Sequence, residues 1–202
     1  MLTKDEIGII DIFRKDLFGC YTIRDVMKKT GKKTYPWTFD AVMKLSKIGV
    51  IKMQTKGKAK LCSINLYNQA ALSYLSLLDE LEANGKKIPH LDELINDMTT
   101  PFFVLLIGGS YASGKETSKS DLDICVIIDD SLKTKPLQNF LANKLMVPRL
   151  HPFVFKRKEF LEMLLSKEAN YGKLLFKKHL TAFGAKSYYL MMREAIEHGF
   201  RD

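Results

Sequence analysis

Asp121 and Asp123 stand two residues apart at the head of the apolar run Ile124-Cys125-Val126-Ile127-Ile128. Residues i and i+2 of a strand point to the same face, so a strand here would present two carboxylates side by side. Ten residues separate Asp121 from the preceding Gly109-Ser110, within Gly108-Gly109-Ser110-Tyr111-Ala112-Ser113-Gly114-Lys115. Glycines let backbone N–H groups approach an anion closely. Two carboxylates beside such a turn can hold Mg²⁺ against triphosphate oxygens, because magnesium favours one or two carboxylates plus substrate phosphates over a cage made by protein alone. The loop is not a P-loop, since Gly114-Lys115 is followed by Glu116, and it is not GxGxxG. Lys115 could add a phosphate contact or simply be solvated.

These residues need a sheet to position them. Phe102 to Ile107 is an apolar run ending at glycines and reads as a buried strand, and Ile124 to Ile128 reads as a second. Together, the glycine loop, the spacing, the paired aspartates and both strands resemble the signature of the nucleotidyltransferase superfamily that includes DNA polymerase beta. Within it, the likeness is to the minimal nucleotidyltransferases of archaea and bacteria, and it covers about residues 99–202. The resemblance implies a small mixed sheet with flanking helices and transfer of a nucleoside monophosphate from a nucleoside triphosphate, ATP in the first instance. It also implies that Gly109 and Ser110 cradle the β/γ phosphates and that Asp121 and Asp123 ligate Mg²⁺. The metal would neutralise the leaving pyrophosphate and align the α-phosphate.

The sequence departs from that family in two places. Members commonly carry Ala-Arg-Gly where this loop reads Ala112-Ser113-Gly114. Active members also place a third carboxylate on a later strand, where it completes the metal site and helps deprotonate the acceptor. The expected strand, Val147 to Phe155, reads VPRLHPFVF and holds no acid. His151 lies near the expected place and could bind metal, act as a base or be structural. Glu159 follows Lys156-Arg157-Lys158 and reads as first-turn helix charge. His90, His179 and His198 have no metal-ligand spacing.

The N-terminal segment reads differently. Thr3 with Glu6 has capping-box spacing, and Ile9, Ile10, Phe13 and Leu17 follow at helical intervals. Thr22 opens a second helix closed by Gly31, and a third begins near Thr34 to Pro36 and stops at Gly49. Val50 to Gln54 and Lys60 to Leu66, around a turn at Thr55 to Lys58, make a hairpin. Three helices and a basic hairpin resemble a winged helix-turn-helix domain, whose third helix enters the DNA major groove while the wing touches the backbone. By that resemblance Lys32, Lys33, Thr34, Tyr35, Thr38 and Lys44 would face duplex DNA, and Lys52, Lys56, Lys58 and Lys60 would meet phosphates. Trp37 and Phe39 could be core or contact residues.

Charge follows the same division. Residues 1–66 hold 14 Lys and Arg against 6 Asp and Glu, a net of +8, whereas residues 67–100 carry −4 and residues 101–202 carry +5. Such an excess on a small domain suits a polyanionic partner. The longest apolar run, Phe102 to Ile107, falls far short of the roughly 20 residues of a membrane span, and no apolar leader follows Met1. Cys20, Cys62 and Cys125 form no metal or disulfide pattern. A cytoplasmic protein without membrane contact is expected.

The expected architecture is α/β (α+β): a winged helix over 1–66, a helical connector over 67–98 and a nucleotidyltransferase-like domain over 99–202. The connector's apolar stripe could pack within the chain or against a second copy in a homodimer. Two functions are compatible with this sequence. One is an Mg²⁺-dependent nucleotidyltransferase targeted by the winged helix, with a protein hydroxyl, a small molecule or a nucleic acid as acceptor. The other is a DNA-binding regulator whose transferase-like domain senses nucleotide or binds partners.

Overall fold

The computed structural model describes residues 2–57 and 59–201 and is a mixed α and β structure. The chain forms two compact units, Met1–Leu78 with Arg201–Asp202, and Asp79–Phe200.

The first unit is a winged helix. Helix α1 (Lys4–Lys15) begins in the expected capping box, in which the Glu6 N–H donates to Thr3 Oγ1 and the Thr3 N–H donates back to the Glu6 carboxylate. Strand β1 (Tyr21–Thr22) leads into α2 (Ile23–Lys29), which Thr22 and Asp25 cap in the same reciprocal way. Helix α3 (Tyr35–Lys47) carries Pro36 in its first turn, where a missing donor costs nothing. Strands β2 (Ile51–Lys56) and β3 (Ala59–Ile64) form the wing, and β1 joins them in an antiparallel sheet of order β1-β3-β2. Ile9, Ile10, Phe13, Val26, Val42 and Leu45 are fully buried. Each such side chain is worth roughly 1.5–3 kcal/mol over an exposed one.

Helix α4 (Gln69–Gly85) crosses the division between the units. Ala83, Ile88 and, in α5 (Leu91–Asn96), Leu94 belong to the apolar core of the second unit. An amphipathic stripe shows that a helix is half-buried, not which core buries it.

The second unit is built on a four-stranded mixed sheet of order β6-β5-β4-β7. Its elements are β4 (Phe103–Ile107), α6 (Gly109–Ser113), β5 (Leu122–Ile128), α7 (Thr134–Ala142), β6 (Leu150–Lys156), α8 (Arg157–Leu165), α9 (Tyr171–Lys177), β7 (Leu180–Phe183) and α10 (Ala185–Glu197). Strand β5 runs antiparallel to β4 and parallel to β6, while β7 pairs with β4 at the edge. Leu122, Ile124, Val126 and Ile128 enter one core with Leu137 and Leu141 of α7, Leu150 and Val154 of β6, and Leu94. The alternate residues of β6, Phe153 and Phe155, pack against Tyr171 of α9. Helices thus cover both sheet faces, which explains why β4 and most of β5 read as unbroken apolar runs. Among the described residues, no helix is long and apolar enough to cross a membrane.

Candidate active site and nucleic-acid interface

The glycine loop leaves β4 at Ile107 and forms α6 rather than an open loop. Gly108 N–H donates to the Asp123 carbonyl at 2.9 Å, tying the start of this turn to the head of β5. Gly109 has φ +58°, and a Cβ there would lie 1.9 Å from Asp123 Oδ2. Only glycine permits both that backbone and that approach. Asp121 is exposed just ahead of β5, and Asp123 is half-buried, whereas Leu122 and Ile124 between and after them are in the core. Asp123, between the core residues Leu122 and Ile124 of β5, faces away from that core, and Asp121 lies just ahead of the strand.

Strand register decides the place of His151. Asp123 pairs with His151 across the parallel β5–β6 ladder, and His151 Nδ1 lies 2.9 Å from Asp123 Oδ1. An ionised carboxylate only accepts, so Nδ1–H is the donor, and in a neutral imidazole that leaves the lone pair on Nε2. The imidazole, 59% exposed, stacks at a tilt on Phe153, 4.7 Å between centroids, and so has a fixed base and an open edge. Asp123 thus turns one oxygen to the glycine turn and the other to a histidine. Glu159 is elsewhere engaged, accepting from Lys156 N–H as the first-turn charge of α8.

Two residues of this site escaped the sequence reading. Tyr171 of α9 lies beneath the loop, its hydroxyl 3.6 Å from where a Gly108 Cβ would be, buried and without a hydrogen-bond partner among the described residues. Burial first, and then the charges of Cys125 and Asp123, push its phenol well above the ordinary range. Lys86 reaches the far end of the loop from the end of α4, its Nζ 3.3 Å from a Cβ built on Gly114. Neither carried a signal, because only the fold brings α9 and the end of α4 to the loop. Lys115 follows Gly114 and is exposed, its backbone N–H donating to Ser110 O.

Among the described residues, no group of three His, Cys, Asp or Glu side chains could by itself hold a metal ion. The donor set at this end, two accessible carboxylates and the close backbone of Gly109, fits a magnesium completed by phosphate oxygens and water rather than an all-protein site. A cavity of about 350 Å³ lined by Phe103, Ile128, Asp129, Arg157, Met191 and Glu194 is at the other end of β5. Its Arg157 is paired with Glu194, and it takes no part in this constellation.

Residues 103–175 match the family model described as a nucleotidyltransferase domain. That stretch is similar to nucleotidyltransferase domains. The match runs from the first residue of β4 into α9 and so spans the glycine turn, both aspartates, His151 and Tyr171 of the nucleotidyltransferase-like unit. The crystal structure of MepR, a transcription regulator of the Staphylococcus aureus multidrug efflux pump MepA, is similar at 14% identity over 47% of this chain and 73% of that one, with a TM-score of 0.36. No curated protein matches the chain.

The residues expected at DNA fare unevenly. Lys33, Thr34, Tyr35, Lys52, Lys56 and Lys60 are exposed. Tyr35 and Lys60 line one cleft with Thr22, Arg24 and Phe39, and Arg24 was not anticipated. Thr38 is a correction: it is 0% exposed, its hydroxyl donating to the Thr34 carbonyl one turn back, and it cannot touch DNA from there. It sits on the same helix face as the buried Ala41, Val42 and Leu45, so its polarity masked a core position. Lys32 pairs with Asp5 and lies over the Trp37 ring, and Lys44 donates to both oxygens of Glu6. Lys52 lies over the Tyr67 ring. Lys58 is outside the described residues.

Proposed function

We propose that the chain is a magnesium-dependent nucleotidyltransferase that moves a nucleoside monophosphate from a triphosphate, ATP in the first instance, to an acceptor hydroxyl, and that its winged helix binds duplex DNA. One observation carries the reading: Asp123 joins the Gly109 turn to His151 inside the stretch that matches the nucleotidyltransferase model. Asp121 and Asp123 would hold the metal, which when bound supplies charge neutralisation for the phosphates. Gly109 and Ser110 present backbone N–H groups to the phosphates, and Lys115 extends the positive rim. Asp123 orients His151, whose Nε2 accepts the proton of the attacking hydroxyl. Such assistance is worth roughly 10²–10⁴-fold. Exposed lysines of α3 and the wing supply phosphate contacts to DNA.

His151, near the place where the resemblance implies a third acid, favours a second reading, in which the unit binds nucleotide without turnover and the chain is a DNA-binding regulator. Calorimetry with ATP, with and without Mg²⁺, followed by transfer from α-labelled ATP, separates the two. Metal-dependent binding with transfer supports the enzyme, and metal-dependent binding without transfer supports the sensor. Equal affinity in EDTA would remove the metal assignment from both. Asp121→Asn with Asp123→Asn is expected to abolish the effect of Mg²⁺.

A further inference from the structure

The glycine loop has no arginine, yet a nucleoside triphosphate carries more negative charge than one metal and one loop lysine offset. The end of α4 brings a second cation. Helix α4 closes at Gly85, with Lys86 N–H donating to the carbonyls of Glu82 and Ala83. Lys87 then adopts φ +48°, which a residue with a Cβ enters only at a cost of roughly 1–2 kcal/mol. This reversal lets Ile88 enter the same apolar core as Ala83, 8% and 1% exposed respectively. Lys86 is left between two buried anchors, and its ammonium is 3.3 Å from a Cβ built on Gly114. Tyr111 and Ala112 of the loop pack against that same core, so the loop and the root of Lys86 share one support.

Lys86 is exposed and makes no ion pair among the described residues. Gly114 has φ +62° and ends α6. At 1.5 Å per residue it is about 7 Å along the helix from Gly109. Lys86 thus stands at the end of the turn opposite to the approach of Gly109 to Asp123.

We infer that Lys86 is a polyphosphate-binding residue of the nucleotide site, supplying from α4 the distal-phosphate cation that the loop Ala112-Ser113-Gly114 lacks. The inference rests on the nucleotidyltransferase reading. It makes the preference for a triphosphate over a mono- or diphosphate partly a property of Lys86, since only the longer chain reaches it.

The test is calorimetry on the full-length protein with Mg²⁺-ATP, Mg²⁺-ADP, AMP and Mg²⁺-tripolyphosphate, the last probing phosphate recognition without a base. Lys86→Met is expected to weaken ATP and tripolyphosphate about tenfold, as removal of one charge-assisted hydrogen bond should. ADP should be weakened less and AMP left within twofold. Lys86→Arg should restore most of the loss, and Lys87→Met, which removes the same charge one residue on, should leave every affinity within twofold. Unchanged ATP binding by Lys86→Met, or an equal loss from Lys87→Met, would overturn the role of Lys86 while leaving the nucleotide site standing. Absence of Mg²⁺-dependent binding by the unaltered protein would instead remove the reading beneath it, and Lys86 with it.

Discussion

Asp123 and Lys44 were both expected at a working surface, and each has an oppositely disposed partner 2.9 Å away. The partners have different meanings. Asp123 meets His151 because parallel register sets them side by side, and both remain accessible at the end of the sheet. Lys44 meets Glu6, a residue of α1 whose carboxylate is nearly buried, so its charge is spent inside the winged helix. A short side chain on a strand has little choice of where its charge goes. A lysine on a helix can reach several places. Residue type and spacing are therefore a better guide to the neighbours of a strand-borne carboxylate than to those of a helix-borne lysine.

The contrast breaks most sharply at Gly109. A Cβ there would overlap Asp123 Oδ2 in a left-handed backbone, so Gly109→Ala must move the loop, the aspartate or both. Loss of Mg²⁺-dependent nucleotide binding and of any transfer by more than about 10²-fold is expected, with a stability cost of roughly 1–2 kcal/mol from the backbone alone. Gly31→Ala in the other unit has a similar φ of +67° but open space at its Cβ. It should show the stability cost without the functional one. Equal functional losses would mean that fold strain, not the Asp123 approach, is being measured.

His151 comes next in size. His151→Ala should lower transfer by about 10²–10⁴-fold if its Nε2 accepts the acceptor proton, while nucleotide affinity changes little. His151→Asp places an acid opposite Asp123 and should recover activity where alanine does not. Full transfer by the alanine variant would make the Asp123–His151 contact structural and remove His151 from the chemistry.

The legible parts of the fold share a cause. The capping box at Thr3, the helix start at Thr22, the Pro36 start and the wing turn are short-range devices, each complete within a few residues. So is the pair of apolar strands with the aspartates between them. What escaped was either too short for any period or fixed by distant packing. Strand β1 has two residues and exists because β3 is there to pair with it. Helix α6 is spelled in glycine and serine, which read as loop. The seven-residue α9 brings Tyr171 under the loop through the Phe153 and Phe155 rings. Thr38 was misplaced because a hydroxyl satisfied by its own helix can be buried at little cost.

On the winged-helix side, the exposed lysines should act as a set. Replacing Lys52, Lys56 and Lys60 together with methionine should flatten the dependence of log K on log salt for duplex DNA by about 2–3, close to 0.9 for each phosphate no longer neutralised. Lys44→Met should leave that slope within experimental error, since its ammonium is already held by Glu6. If Lys44→Met flattens the slope as much as one wing lysine does, the ion pair opens on DNA and the contrast with Asp123 fails.

The smallest effect concerns the Glu6–Lys44 pair itself. The Lys44 hydrogen bond first, then the Thr3 N–H, hold the Glu6 carboxyl below its ordinary value against the opposing effect of burial. A carboxyl depressed on folding stabilises the fold above its unfolded value. That contribution fades as pH falls through the folded one. Lys44 is 46% exposed, so solvent screens the pair, and a contribution of about 1 kcal/mol or less is expected at neutral pH. The chain has one tryptophan, Trp37, which lies in α3 and reports on this unit alone. Urea unfolding followed by Trp37 fluorescence should show Glu6→Gln less stable than the parent at pH 7. The difference should shrink as pH drops below the ordinary glutamate range, where the parent has lost the same charge. A constant difference across that range would mean that the charge of Glu6, and with it the pairing to Lys44, does not stabilise the fold. Lys44 would then be as free for DNA as its sequence position first suggested.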